Sequence, residues 1–229
     1  MTASPLHCYL LSERAAVIQS HSSSISLDLQ KQIWAIAHAL QALKICIDIV
    51  PGMNNLTAIF NPLEHSSATM LAHLNKLANQ VTALDFPGRD VEIPVDYGGE
   101  YGPDIAKVAA HTGLSIRELV EQHSAAHYLV YFLGFQPGFA YMGGLPPALA
   151  TPRLAEPRLK VPAGSVGIGG SQTGIYPAAS PGGWQLIGRT DLRLFDVQKT
   201  PPSTLLPGDC VLFVIASCNE KPVHMEALQ

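Results

Sequence analysis

An α+β amino-terminal domain followed by a mainly β barrel domain is the fold class this sequence predicts. Three observations carry it. Strand-like alternation and helical periodicity take turns over the first eighty residues, and Pro87-Gly88 then interrupts both. After Tyr128 the pattern changes to short apolar runs cut by glycine and proline. The expected boundary falls within Ala83–Asp90, giving domains over residues 1–86 and 87–229.

In chain order, Leu6–Leu11 predicts an extra opening strand and Ala15–Gln19 a second short strand. Leu29, Ile33, Leu40 and Leu43 recur at helical spacing behind Ser26 or Asp28 as a cap. Ile45, Ile47 and Ile49 alternate with Cys46, Asp48 and Val50 as a strand does, and Pro51-Gly52 is expected to turn the chain into a return strand at Leu56–Phe60. Met70, Leu71, Leu74, Leu77 and Ala78 mark a second helix, and Val91, Ile93 and Val95 alternate again. Counted from Ala15 that order is βαββαβ, the ferredoxin-like unit, with Leu6–Leu11 added to it.

Two helices are expected next. One begins at Pro103, a favoured first helical position, and stops near Gly113. The other opens on Ser115-Ile116-Arg117-Glu118, a capping box whose two side chains satisfy free amides reciprocally. His127–Leu133, Ser165–Ile168, Trp184–Gly188 and Val211–Ala216 then read as short strands. Between Gly134 and Gly183 eleven glycines and eight prolines alternate with large side chains rather than repeating, which points to a closed barrel with long ordered loops. The densest of these is GFQPGFAYMGGLP, residues 134–146. A flexible linker would not carry Phe135, Phe139 and Tyr141, and a regular strand would not hold Pro137, so an ordered loop is expected.

A hydrophobic content of 47% with 14% charged residues fits a folded core and not a disordered chain. The net charge of −4, with no basic patch, argues against nucleic acid or an anionic membrane surface as the partner. No charged leader precedes an apolar run in residues 1–20, and no stretch reaches membrane-span length, so a cytoplasmic protein is expected. Cys8, Cys46, Cys210 and Cys218 lie far apart without a CxxC pair, which predicts reduced thiols and no zinc site.

Several motifs invite a chemical reading. Gly164–Ser171 has the glycine spacing of a phosphate loop, but Gly170 stands where the lysine is needed. The dinucleotide fingerprint fails at Gln172 and the nucleophile elbow at Thr173. What remains is a glycine-rich turn or an anion cradle of backbone amides over Ser165, Gly167, Gly169 and Gly170. His123, at the end of the capped helix, suits either a dipole partner or a proton-transfer group. Arg153 and Arg158 each sit beside a proline that restrains them, as a carboxylate or phosphate clamp requires. Tyr176, Trp184 and Phe139 fit a core or a ligand wall equally, although Gly182-Gly183 beside Trp184 allows close approach.

Taken together, GFQPGFAYMGGLP, TPRLAEPR, VPAGSVGIGG, QTGIYPAASPGGWQLIGRT and LLPGD resemble the family of 5-oxoprolinase B subunits, also described as Kip-type kinase inhibitors and allophanate hydrolase subunit 1. IPVDYGGEYGPDIAKVAAHTGLS and VPGMNNLTAIFNP extend the resemblance over essentially the whole chain. The resemblance implies a cyclophilin-like barrel after the ferredoxin-like domain. It also implies work in a complex with the C and A subunits of 5-oxoprolinase, which opens 5-oxo-L-proline to L-glutamate. ATP and a divalent cation would act at the level of that complex, with no cofactor tightly bound to this chain. Alternatives within the family are a module inhibiting a sensor histidine kinase and a subunit acting on allophanate or urea-derived amides. In the enzyme reading the 134–146 loop rims a barrel pocket. His123 and Arg158 are the expected catalytic groups, and Arg153, Phe139, Tyr141, Gln172, Tyr176 and Trp184 the expected substrate contacts.

Overall fold

A computed structural model describes residues 6–21, 26–83 and 88–220, and the chain divides into two compact units, Met1–Phe86 and Pro87–Gln229. Half of the expected boundary segment, residues 84–87, lies outside the described residues.

The first unit contains β1 (Leu6–Ser12), β2 (Ala15–Ser20), α1 (Leu27–Leu43), β3 (Asp48–Gly52), β4 (Asn55–Ile59) and α2 (Ser67–Gln80). Its sheet runs β1-β2-β4-β3 with every neighbour antiparallel. Ala16 lies opposite Ala58 and Ile18 opposite Leu56, so these four side chains share one face. There they pack on Ile33, Ile36 and Leu40 of α1 and Met70 and Leu74 of α2. Ser26 caps α1 by accepting from the Leu29 amide.

The expected ferredoxin-like domain ahead of a barrel is not what forms. The first unit is ββαββα, because the strand carrying Val91, Ile93 and Val95 pairs elsewhere and β1 takes the place beside β2. Alternation identifies a strand but not its neighbour. A two-residue hairpin brings β1 to β2 at far lower loop-closure cost than a long crossover. The third strand also begins later than expected. Pro51-Gly52 lies within β3, an edge strand, where proline is tolerated, and the turn falls on Met53-Asn54 with Asn54 at φ +58°.

The second unit contains β5 (Asp90–Gly98), α3 (Ile105–Thr112), α4 (Ile116–Ala125), β6 (His127–Leu133), β7 (Ala140–Gly143), β8 (Arg158–Val161), β9 (Ser165–Gly169), β10 (Gln172–Ile175), β11 (Ser180–Gly182), β12 (Gln185–Arg189) and β13 (Cys210–Asn219). Seven strands close a barrel in the order β10-β7-β6-β13-β5-β12-β9, and β8 and β11 form a separate ribbon. Ile93, Val95, Val130, Val166, Ile168, Val211 and Phe213 fill the core together with Val108 of α3 and Leu119 of α4. The capping box of α4 is present with both of its hydrogen bonds. Ala140–Gly143 within GFQPGFAYMGGLP is not loop but strand β7, which ends where Gly144 turns at φ +106°. A Cβ there would lie 2.4 Å from the His127 carbonyl oxygen, so glycine is required.

Candidate functional site

Phe139 just before β7, Tyr176 just after β10 and Trp184 just before β12 gather with Val161 and Leu186 into an apolar cluster separate from the barrel core, and Tyr141 packs against it. The rings meet edge to face. Phe139 and Trp184 are 5.7 Å apart at 77°, Phe139 and Tyr176 5.8 Å at 73°, and Tyr176 and Trp184 6.4 Å at 79°. Two glycines make the seats. A Cβ on Gly169 would come within 2.5 Å of the indole nitrogen, and one on Gly182 within 2.4 Å of the Tyr176 hydroxyl.

Over this cluster opens a cleft of about 140 Å3, lined by Phe135, Phe139, Tyr141, Arg153, Tyr176 and Trp184, with Pro181, Gly182 and Gly183 on one side. The Arg153 guanidinium lies 5.8 Å from the Trp184 ring centroid, a cation–π contact, and has no carboxylate partner among the described residues. Burial raises the Tyr176 phenol above its usual range, so it is neutral at neutral pH. Five of the expected contacts, Arg153, Phe139, Tyr141, Tyr176 and Trp184, therefore line one cleft.

The other expected site residues lie elsewhere. Arg158 is not a free clamp. It donates to Asp104 at 2.6 Å and to the Trp184 carbonyl at 3.4 Å, while the second Asp104 oxygen accepts from the Leu186 amide at 2.6 Å. His123 faces no loop or cleft. It is fully buried between the end of α4 and the barrel, tilted by 31° against Phe213 at 4.6 Å. Thr173 spends its hydroxyl proton on the Gly167 carbonyl, so His123 Nε2 donates to Thr173 Oγ1 at 3.0 Å and Nδ1 accepts from the Tyr97 hydroxyl at 2.8 Å. Desolvation lowers its pKa to about 3, which keeps the imidazole neutral.

The amide cradle is likewise absent from the described residues. β9 is paired on both sides, Gly167 opposite Gly174 and Leu186, and the Gly170 amide donates to the Thr151 carbonyl at 2.8 Å. Ser165 is a buried residue of the same strand, and half-buried Gln172 pairs with Gly169 outside the cleft lining. This turn and this cleft do not fit a nucleoside triphosphate. Those amides are occupied, and the cleft is well below the roughly 300–1,000 Å3 that drug-sized ligands fill. Among the described residues no helix is long and apolar enough to cross a membrane, and no group of three His, Cys, Asp or Glu is arranged to hold a metal ion.

Two residues escaped the sequence reading. Phe135 stands at the cleft mouth at φ +64°, a conformation with no signature in its side chain. Asp104 is the buried anchor of Arg158, and its position after Pro103 suggests only a helix start. For His123 a signal was there: it follows Leu119 by four residues, on the buried face of α4.

Residues 6–205 match the family of the carboxyltransferase domain, subdomain C and D. The chain is 52% identical over 207 residues to the Escherichia coli O157:H7 protein named as the B subunit of 5-oxoprolinase, covering 90% of this chain and 94% of that one. It is 47% identical over 201 residues to the Haemophilus influenzae protein of the same name, covering 88% and 94%. The chain belongs to the 5-oxoprolinase B-subunit family. In fold alone it also resembles the crystal structure of Kluyveromyces lactis urea amidolyase, with a TM-score of 0.78 and 19% identity over 93% of this chain and 15% of that one.

Proposed function

We propose that this chain is the B subunit of a cytoplasmic, ATP-dependent 5-oxoprolinase that opens 5-oxo-L-proline to L-glutamate together with the A and C subunits. The observation that carries the reading is the cleft: aromatic walls and one uncommitted cation, with no nucleophile and base paired beside them among the described residues. Such a site holds a small ring and leaves bond cleavage to groups supplied from elsewhere, which is the division of labour expected of a subunit. The five-membered lactam is unstrained, so its amide resists water. ATP with its divalent cation would supply the activation, by transferring its γ-phosphoryl group to the amide oxygen and releasing ADP. That nucleotide is assigned to another part of the assembly. What this chain contributes is binding and orientation, which raise the effective concentration of the reacting groups.

Reconstitution tests the reading. The A and C subunits with this chain, ATP, a divalent cation and 5-oxo-L-proline are expected to release glutamate and ADP, and this chain alone to release none. Co-expressed with the C subunit, it is expected to purify as a stable complex. Glutamate formed at the full rate with this chain left out would end the enzyme-subunit reading and move the kinase-regulator reading ahead of it.

A further inference from the structure

We propose that the Arg153–Trp184 cleft is the receiving site for the lactam acid itself, with Arg153 taking the carboxylate and Phe135 covering the ring. The proposal rests on the 5-oxoprolinase reading and locates the substrate within it.

Arg153 is set up for an anion that the protein does not provide. Arg89, Arg117, Arg158 and Arg193 each face a carboxylate at 2.5–3.3 Å, whereas Arg153 lies over an indole, 5.8 Å from its centroid. A ring takes up no N–H donor of the guanidinium, so the fork that reads a carboxylate stays available. The walls select what the carboxylate is attached to. Trp184, Tyr176 and Phe139 line the cleft, and its volume of about 140 Å3 is on the scale of one small ring.

Phe135 supplies an independent observation. It is a non-glycine residue in the left-handed region, and the residue is 60% exposed. A bulky side chain there strains the backbone, and an apolar ring left in water gains little from folding. The ring is nevertheless held at the cleft, edge to face with Phe139 at 5.4 Å and Tyr176 at 6.4 Å. Strain kept for an exposed ring at a cleft mouth fits a residue whose burial is completed by a ligand.

The test uses the full-length chain, titrated calorimetrically with 5-oxo-L-proline and with 2-pyrrolidinone, the same lactam without the carboxylate. The same variants are then assayed in the assembly with the A and C subunits. Wild-type protein is expected to prefer 5-oxo-L-proline by at least about tenfold, the scale of a charge-assisted hydrogen bond. Arg153→Gln abolishes that preference while leaving the weak binding of 2-pyrrolidinone unchanged, and raises KM in the assembly by a similar factor. Phe135→Gly weakens both ligands alike, yet its melting temperature stays level or rises, because glycine relieves the positive φ. If the isolated chain binds neither compound, the KM values in the assembly decide. Wild-type KM in both variants would overturn the cleft assignment and leave the subunit reading standing. Glutamate production that needs no copy of this chain would instead overturn the subunit reading.

Discussion

Arg158→Ala is expected to destabilise the second unit by about 3–5 kcal/mol, the usual cost of removing one partner of a buried ion pair. The Arg158 side chain is 29% exposed and that of Asp104 9% exposed, so the Asp104 carboxylate would be left in a poorly hydrated place without its cation. Asp104 also holds the Leu186 amide, and Arg158 the Trp184 carbonyl, so loosening the pair loosens the entry of β12 and the wall of the cleft. Urea unfolding read by tryptophan fluorescence measures the effect. The double variant Asp104→Asn/Arg158→Met is expected to recover part of the loss, since it leaves no unpaired charge. Stability within about 0.5 kcal/mol of wild type in Arg158→Ala, the range of an ordinary surface substitution, would show that the pair is not structural. Read as a proline-held surface arginine, Arg158 is instead expected to affect turnover alone; its burial reverses that expectation.

Acid should weaken the protein through His123. In the unfolded chain this imidazole takes up a proton near pH 6.5, whereas burial holds the folded value at about 3. Above pH 6.5 both states are neutral there and the group contributes no pH dependence. Between about pH 6.5 and 3 the unfolded state binds the extra proton, so stability falls as pH falls, by up to about 1.4 kcal/mol for each pH unit. Protonation would also force a second donor against the Tyr97 hydroxyl, which already donates to Nδ1. Unfolding free energies at a series of pH values should show this acid limb, and His123→Gln should flatten it at the cost of a lower plateau. An unchanged slope in His123→Gln would mean that other groups carry the acid sensitivity.

Local signals in the sequence located the local structure. The spacing of Leu29, Ile33 and Leu40 and of Met70 and Leu74 marks α1 and α2, and Ser115 with Glu118 marks the start of α4, because caps and amphipathic stripes depend on near neighbours. Pairing partners depend on distant ones. Val91, Ile93 and Val95 announce a strand without announcing β13, and glycine and proline hide β7 within a segment that reads as loop. The same division runs through the site. Aromatics beside glycines point correctly to Trp184, Tyr176 and Phe139, since a missing Cβ makes room for a ring whatever the fold. Whether an arginine is free is decided by tertiary contacts. Arg153 and Arg158 look alike in TPRLAEPRLK, and only the placement of Asp104 separates them.

The parallel pairing of β5 with β13, from Asp90 opposite Cys210 onward, bears on how the protein is made. On the ribosome β5 emerges first, and nearly the whole second unit must be translated before its neighbour exists. Until then the barrel stays open, with β5 and β6 presenting raw sheet edges of the kind that recruit other chains into aggregates. A chain stopped at Leu205, where the family match ends, would retain every residue of the cleft and still lack the strand that seals the barrel. Nascent chains of this length are natural clients for a chaperone, and an expression boundary drawn from the matched region alone would yield insoluble protein.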